Sequence, residues 1–408
     1  MAIAREGSRH APFDLMRILH FTPMYAPAWK YGGVVRSTTL LCETLAQLGH
    51  QVTVVTTTAG TAYERACTPV DDLRNGVAVI YAPCSRTPLG VDSPDLTPIL
   101  DRVVREHDIL HLTGVWQPTA RRAHAAAIRH GTPYIVSPRG ALSPFSFSHG
   151  AWKKKPYWLL VERGISSGAT LLHATAPLEE EELRRLLPFQ RVATVPNAVD
   201  ASLWTFSPAG RARWRAEHGL SPDDFVVMHV GRLEPKKNTV FLVEAMRLAV
   251  GQRRLTLAII GSALKPAHEA HLASQLRRFP GRVIRVADTP DAGALAAAYS
   301  AADAVAMPSR HENFGNVLLE SLLCGTPVVA STNVGAAFLT RDLPGTTVLP
   351  LDLNIWAKAL VELHGGAVGS VPPQRLSFET RAVLATRFSP LATAGGIAGL
   401  YEEALRGD

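Results

Sequence analysis

Cysteine is scarce: four residues, at 42, 67, 84 and 324, are scattered over 408 with no CxxC pair. That spacing excludes a disulfide framework and a thiolate metal ribbon. Cys42 and Cys324 fall inside helix-like patterns and read as small core residues. No apolar run approaches the ~20 residues that a membrane-spanning helix needs. Met1–Asp14 is polar and lacks the apolar stretch of a secretory signal, so a reducing cytoplasm is the expectation. No strand is followed by GxGxxG, which counts against a dinucleotide-dependent oxidoreductase. Aromatics, at 7%, do not form a basic-aromatic platform, and no reading helix is recognisable, so nucleic acid is not an expected partner. Repeats and low-complexity segments are also lacking.

What is there describes a globular enzyme-sized chain. Hydrophobic residues make up 47% and charged residues 19%, a balance that excludes intrinsic disorder. A length of 408 exceeds one ordinary core and suits two domains. The net charge of +7 favours an anionic partner, either a phosphate-bearing substrate or an acidic membrane surface.

The chain alternates apolar runs with helical patterns. Met16–Thr22 is a strand that ends in the turn-rich Pro23–Gly33, and Val34–Leu48 has helical spacing with a C-cap signal at Gly49. Gln51–Thr57 is β-branched and reads as a second buried strand. Further strands are expected at Val77–Tyr81, Ile109–Leu112, Tyr134–Ser137, Leu171–Ala174 and Val192–Val195. Helices are expected at Gln117–His130, Trp152–Ser166 and Pro177–Leu187. The rhythm restarts after Asp200–Pro208 with strands at Phe225–Val230, Leu255–Ile260, Val283–Val286, Ala304–Met307, Pro327–Ala330 and Thr346–Leu349. The fold class is therefore α/β, with two Rossmann-like domains, 1–200 and 201–388, facing a central cleft, and a terminal helix, 389–408, whose docking site is not visible in the sequence. Ligands of such sheets bind outside the carboxyl ends of the strands.

Pro308–Ala330 (PSRHENFGNVLLESLLCGTPVVA) carries the sharpest signal. A strand ends in a polar loop holding Glu312, a helix starts near Asn316, and Glu320 follows Glu312 inside that helix. Phe314, Gly315, Asn316 and Val317 sit at the helix start, where unpaired N–H groups and the helix dipole attract phosphate. Gly315 lets a ligand approach the backbone closely. Glu320 suits the vicinal hydroxyls of a ribose, and Glu312 those of a sugar. The plain alternative is a surface helix residue and a solvated loop charge. Val230–Asn238 (VGRLEPKKN) places Arg232 and Lys237 at a strand end, where two cations can neutralise a diphosphate; the alternative is two ordinary surface cations.

GRLEPKKN after a strand, followed by the paired glutamates of HENFGNVLLESLLCGTPVV, resembles the donor half of family-four retaining glycosyltransferases of the GT-B fold (group 1). FTPMYAPAWKYGGVVRSTTLLCETLAQLGHQVTVVTT is similar to the acceptor half, so the likeness runs from about Met16 to the terminal helix. It implies that Arg232 and Lys237 hold the diphosphate of a nucleotide-sugar donor, that Glu312 touches the transferred sugar and Glu320 the ribose, and that Gly32-Gly33 approaches the donor phosphates or the acceptor across the cleft. It implies transfer to a glycan, lipid-linked or small-molecule acceptor, with no metal and no cofactor. One departure stands out. Where relatives carry His-x-His-Gly, this chain reads His111-Leu112-Thr113-Gly114, and a hydroxyl at Thr113 carries neither proton nor charge at neutral pH. His111 shares a strand face with Thr113 and points either to the core or to the cleft.

Arg139, in Ser137-Pro138-Arg139-Gly140, follows a strand at the cleft edge and reads either as a phosphate or acidic-acceptor contact or as a structural salt bridge. Trp152–Trp158 (WKKKPYW) mixes cations with aromatics, which suits peripheral contact with the inner membrane face as well as an ordinary solvated helix start. Two other activities fit the same architecture: a sugar-nucleotide epimerase, and a catalytically weak nucleotide-sugar-binding homologue. Pocket residues around Val286–Thr289 and Phe314–Val317 are expected to choose the nucleotide and sugar.

Overall fold

A computed structural model of the chain describes residues 14–87, 90–250, 255–263, 265–287, 291–365 and 375–407. Asp288 and Thr289 of the expected nucleotide-selecting loop, and most of the polar N-terminal segment, lie outside the described residues.

The N-terminal strands are β1 (Arg17–Phe21), β2 (Gln51–Thr57), β3 (Val70–Arg74), β4 (Val77–Ala82), a hairpin β5 (Ser85–Thr87) and β6 (Gly90–Asp92), β7 (Ile109–Thr113), β8 (Tyr134–Ser137), β9 (Leu171–Ala174) and β10 (Val192–Thr194). Among the described residues, eight of them form one sheet in the order β10-β9-β8-β7-β1-β2-β4-β3. All its pairings are parallel except β3 against β4. The strand β3 and the hairpin were not expected from the sequence; β3 (VDDLR) is too polar to register as a buried run.

The second sheet is built from β11 (Phe225–Val230), β12 (Leu255–Ile260), β13 (Arg282–Val286), β14 (Ala304–Met307), β15 (Val328–Ser331) and β16 (Thr346–Leu349). Its order, β13-β12-β11-β14-β15-β16, is parallel throughout. Every residue of β11, β12 and β14 is buried, as a parallel strand covered by helices on both faces requires. In both sheets the strand order reverses once, between β1 and β7 and between β11 and β14. The crevice above such a reversal is where doubly wound sheets hold ligands. The loops that rise from it carry Gly32-Gly33 (after β1), Arg232 and Lys237 (after β11) and Glu312 (after β14).

The expected helix over Trp152–Ser166 is interrupted. Ala151–Tyr157 is α-helical, Trp158–Glu162 is a wide π-turn, and Arg163–Ser167 resumes the helix. Pro156 has no N–H to give to the preceding turn, and the widened turn lets Glu162 accept a hydrogen bond from the backbone N–H of Trp116 at 3.0 Å. Burial pushes the Glu162 carboxyl up to about 7, and the Trp116 N–H opposes the shift in part.

The terminal helix Pro390–Arg406 returns to the first domain. Ala394, Ile397, Ala398, Tyr401 and Ala404 share a core with Leu41, Cys42, Leu45 and Val54. Cys324 lies in the core of the second domain. Tyr401 reaches His111, which is fully buried between Tyr401 Oη (2.7 Å) and Ser137 Oγ (2.6 Å). Ser137 Oγ also lies 2.7 Å from His173 Nδ1, and His173 Nε2 lies 2.9 Å from the Val195 carbonyl. Burial keeps both imidazoles neutral, and a carbonyl only accepts, so one direction runs through the chain: Tyr401 donates to His111, His111 to Ser137, Ser137 to His173, and His173 to Val195. His20, whose ring centroid is 4.5 Å from that of His111, adds a third.

Burial, with the Arg139 charge adding to it, lowers His20 and His173 to about 3, and burial holds His111 well below its ordinary value. A histidine whose folded value is depressed contributes stability that is present above its unfolded value of about 6.5 and lost as the pH falls towards the folded value. The melting temperature should therefore decline steadily from about pH 6.5 down towards pH 3 as the unfolded chain takes up protons that the native core refuses. A melting temperature unchanged between pH 7 and pH 5 would show that these imidazoles are not held neutral.

Candidate active site between the two sheets

Lys237 Nζ lies 2.5 Å from Glu312 Oε2, and the two side chains are only 16% and 15% exposed. One comes from each loop beside the β11–β14 reversal. Gly231 takes φ +139°, a conformation that side-chain-bearing residues rarely adopt, and Lys237 packs beside it, its Cε 3.4 Å from where a Cβ on residue 231 would stand. Burial alone would raise the Glu312 carboxyl, but the charges of Lys237 and Lys236 and the hydrogen bond from Lys237 outweigh it and hold the carboxyl below its ordinary value. Arg232 is more open, with its side chain 54% exposed and a loose 3.5 Å pair to Glu234.

Gly315 caps the helix Asn316–Leu323 in the left-handed region, φ +95° and ψ +64°. A Cβ there would stand 3.0 to 3.2 Å from Met307 Cε, Val334 Cγ1 and Glu312 Cγ, so only glycine leaves the helix start open. Asn316 bridges the domains. Its Oδ1 accepts a hydrogen bond from Asn197 Nδ2 at 3.2 Å, and its Nδ2 lies 3.5 Å from the position of a Cβ on Gly33. Gly32, at φ +86°, turns the glycine loop towards this helix start. Val317 is half-buried in the first turn.

Two expected donor contacts are narrower than the sequence suggested. Phe314 is buried in the core of the second domain, and its carbonyl accepts from Ala336 N–H, so neither its ring nor its carbonyl is open to a ligand. Glu320 is half-buried and already accepts a hydrogen bond from Tyr299 Oη at 2.8 Å. Burial raises its carboxyl, opposed by Tyr299, Arg36 and Lys237. A carboxylate holds about four acceptor positions, so the Tyr299 bond leaves room for a hydroxyl pair.

Thr113 and His111 are not in the open cleft. Thr113 is fully buried, with its hydroxyl 2.9 Å from His20 Nε2, because the loop after β1 folds over the end of β7 and brings Pro23 Cδ to 3.4 Å from the Cβ position of Gly114. Strand alternation does set His111 and Thr113 on one face, but that face is the core. Arg139 is half-buried, and among the described residues it is paired in no salt bridge. It sits at φ +55°, and its Nη1 donates to Asn197 Oδ1 at 2.5 Å. Burial lowers its affinity for its proton, countered by Glu179.

Several residues that the sequence did not single out tie the domains together. Asn313 Nδ2 donates to Thr175 Oγ1 (2.8 Å) and Glu179 Oε2 (3.0 Å), and His311 Nε2 lies 3.2 Å from Glu182 Oε1. Asn313 and His311 flank Glu312, so the junction also fixes the acidic side chain of the site. Their adjacency to Glu312 was the available signal.

Residues 32–198 match the glycosyl transferase 4-like domain, and residues 224–365 match glycosyl transferases group 1. The D-inositol 3-phosphate glycosyltransferase 2 of Catenulispora acidiphila is 30% identical over 415 residues, 95% of this chain and 94% of that protein. The D-inositol 3-phosphate glycosyltransferase of Segniliparus rotundus is 36% identical over 226 residues, 53% of this chain and 48% of that protein. The chain thus spans about half the length of the first relatives it matches. Among solved structures, sucrose-phosphate synthase of Thermosynechococcus elongatus superposes with a TM-score of 0.73 at 21% identity, over 96% of this chain and 100% of that one. Anabaena HepE in complex with UDP and glucose superposes with a TM-score of 0.71 at 21% identity, over 95% of this chain and 100% of that one. The two facing sheets are those of the GT-B fold, and the chain belongs to the family-four, group 1 glycosyltransferases.

Proposed function

We propose that this chain transfers a sugar from a nucleotide-sugar donor to an acceptor with retention of anomeric configuration. The observation that carries the reading is the buried Lys237–Glu312 pair, 2.5 Å apart, beside an open helix N-terminus at the strand-order reversal of the second sheet. The donor diphosphate lies against Arg232, Lys237 and the N–H groups after Gly315. Of the three donors on the Lys237 ammonium one is taken up by Glu312, which leaves the others for phosphate oxygens. The bond from the anomeric carbon to the phosphate oxygen breaks through an oxocarbenium-like state, and the nucleoside diphosphate departs with the electron pair. Charge developing on that leaving group is what Arg232 and Lys237 stabilise. The acceptor oxygen attacks on the face the diphosphate leaves and passes its proton to that phosphate. Glu312 holds the sugar and Glu320 the ribose. That HepE was solved with UDP and glucose supports a nucleotide-sugar donor here.

Peripheral membrane contact belongs to the same reading. Trp152, Leu159 and Leu160 are largely exposed beside Lys153 and Lys155, the mixture that an anionic bilayer surface favours.

A thermal-shift panel of nucleoside diphosphates and nucleotide sugars tests the donor. At a hundredfold excess over Kd the correct nucleotide should stabilise the protein by about 2.7 kcal/mol. Glu320→Ala should weaken that nucleotide about tenfold, because the lost contacts are to ribose. Unchanged nucleotide affinity in calorimetry would move Glu320 out of the donor site. Incubation with donor alone separates transfer from epimerisation.

A further inference from the structure

The loop that carries Arg139 is clamped on both sides. Gly140 N–H donates to Glu179 Oε1 at 2.5 Å, and a Cβ on Gly140 would stand 2.6 Å from Asn313 Cβ of the second domain. Arg139 Nη1 donates to Asn197 Oδ1. Asn197 stands where the backbone leaves the first domain, directly after Pro196, and its Nδ2 donates to Asn316 Oδ1 at 3.2 Å. Asn316 opens the helix whose start is read above as the diphosphate site. One chain of hydrogen bonds thus runs from the first domain, through the crossing, to the second.

The direction of that chain is fixed at one end only. A guanidinium has donors and no acceptor, so the Asn197 atom that faces Arg139 is its carbonyl oxygen. The other end of the same amide is then NH2, and the Asn316 atom that receives its hydrogen bond is again a carbonyl oxygen. The Asn316 NH2 is left on the far side, 3.5 Å from the position of a Cβ on Gly33. Among the described residues no acceptor takes a hydrogen bond from it. Two facing amides alone have no such preference: both can turn over together and keep their mutual bond, which leaves the Asn316 carbonyl towards the glycine loop. Arg139 breaks that symmetry. Burial lowers its affinity for its proton, but Glu179 counters the effect and a guanidinium stays charged at neutral pH.

We propose that Arg139 is a positioning residue for the donor: acting through Asn197, it turns the Asn316 NH2 towards the diphosphate. The proposal rests on the donor reading above. It assigns a cation of the first domain to the nucleotide held by the second, without contact between them. The NH2 then joins the backbone N–H groups of the helix start as one more donor to the leaving group. A carbonyl in the same place sets a partial negative charge against the phosphate oxygens, so the orientation of one amide decides between attraction and repulsion.

The probe is whichever of UDP, GDP and ADP stabilises the protein most, titrated by calorimetry. Asn316→Ala should weaken it about tenfold, the loss of one hydrogen bond to a charged group. Asn197→Asp is the diagnostic variant. Its carboxylate accepts from Arg139 but has nothing to donate, so the Asn316 amide turns over and shows its carbonyl to the phosphate. Affinity should fall about tenfold below that of Asn316→Ala. Adding Asn316→Ala to Asn197→Asp should then restore binding to near the level of Asn316→Ala alone, a recovery that damage to the fold does not produce. Arg139→Met leaves both orientations open and should weaken the nucleotide about twofold by halving the competent population. That loss should vanish in the Asn316→Ala protein. Lys358→Gln, a distant exposed lysine, should change nothing. Additive losses in the Asn197→Asp/Asn316→Ala protein, or an Arg139→Met effect that persists without the Asn316 amide, overturn the proposal. Failure of the donor reading looks different: none of the three nucleotides stabilises the parent, or Lys237→Ala leaves their affinity unaltered, and the relay falls with it.

Discussion

Lys237→Ala is expected to lower kcat/KM by a factor of about 100 to 1,000, as loss of one preorganised charge at a leaving group does. Two effects add. The diphosphate loses a cation that is held in place by Glu312. Glu312 loses the partner that counteracts its burial, so its carboxyl shifts upward and becomes partly protonated nearer neutral pH. The residual activity should then rise with pH as Glu312 ionises, a limb that the parent enzyme lacks. Arg232→Ala should cost less, about tenfold, because that side chain is exposed and its charge is screened by water. Steady-state kinetics over pH 5 to 9 measure both. A Lys237→Ala enzyme with near-parental kcat/KM would remove the lysine from the reaction.

Gly335→Ala is expected to destabilise the protein by roughly 3 kcal/mol or more, within the range that overpacking against a rigid backbone produces. A Cβ at this position would stand 2.0 Å from the Asn313 carbonyl oxygen and 2.7 Å from Ala176 Cβ of the other domain. Neither neighbour is a flexible side-chain tip. Asn313 is anchored to Thr175 and Glu179, and Gly335 N–H donates to the Glu312 carbonyl at 3.0 Å. The displacement therefore passes directly to Glu312, and activity should fall even in the fraction that stays folded. Thermal melts and kinetics on the same preparation check both effects. A variant that melts with the parent would show that the domains separate readily at this seam.

The parallel strands were legible because each is a short run rich in aliphatic and β-branched residues bounded by turn residues, and Gly315, Lys237 and Glu312 stood out because they lie at or just beyond strand or helix ends. What escaped depended on distance in space. β3 is polar and pairs at an edge, so no buried run marks it. The π-turn at Trp158–Glu162 follows from a tertiary hydrogen bond to Trp116. The burial of Thr113 was not legible because strand alternation does not tell core from cleft, and its partner His20 comes from a different strand. Arg139 was expected to meet a phosphate, an acidic acceptor or a salt-bridge partner, yet its Nη1 donates to Asn197, 58 residues away in sequence. The cavity of about 480 Å³ lined by Arg139–Lys154, Glu234–Lys236, Lys265–His268 and His311 draws on four separate stretches, and no spacing within the chain brings Lys154 and Lys265 together.

The return of the terminal helix makes the second domain an insertion: the backbone leaves the first domain near Pro196 and re-enters it near Ser389. The two crossings lie side by side, joined by a hydrogen bond from Val199 N–H to the Phe388 carbonyl (2.9 Å) and by another from Thr393 Oγ1 to the Pro196 carbonyl (3.2 Å). A body held on two adjacent tethers swings about the line through both and resists being screwed around either one. Any opening of the second sheet over the first is therefore expected to follow a hinge about that line, which would keep Lys237 and Glu312 in register with the glycine loop. Removing the helix leaves one tether and frees the twist.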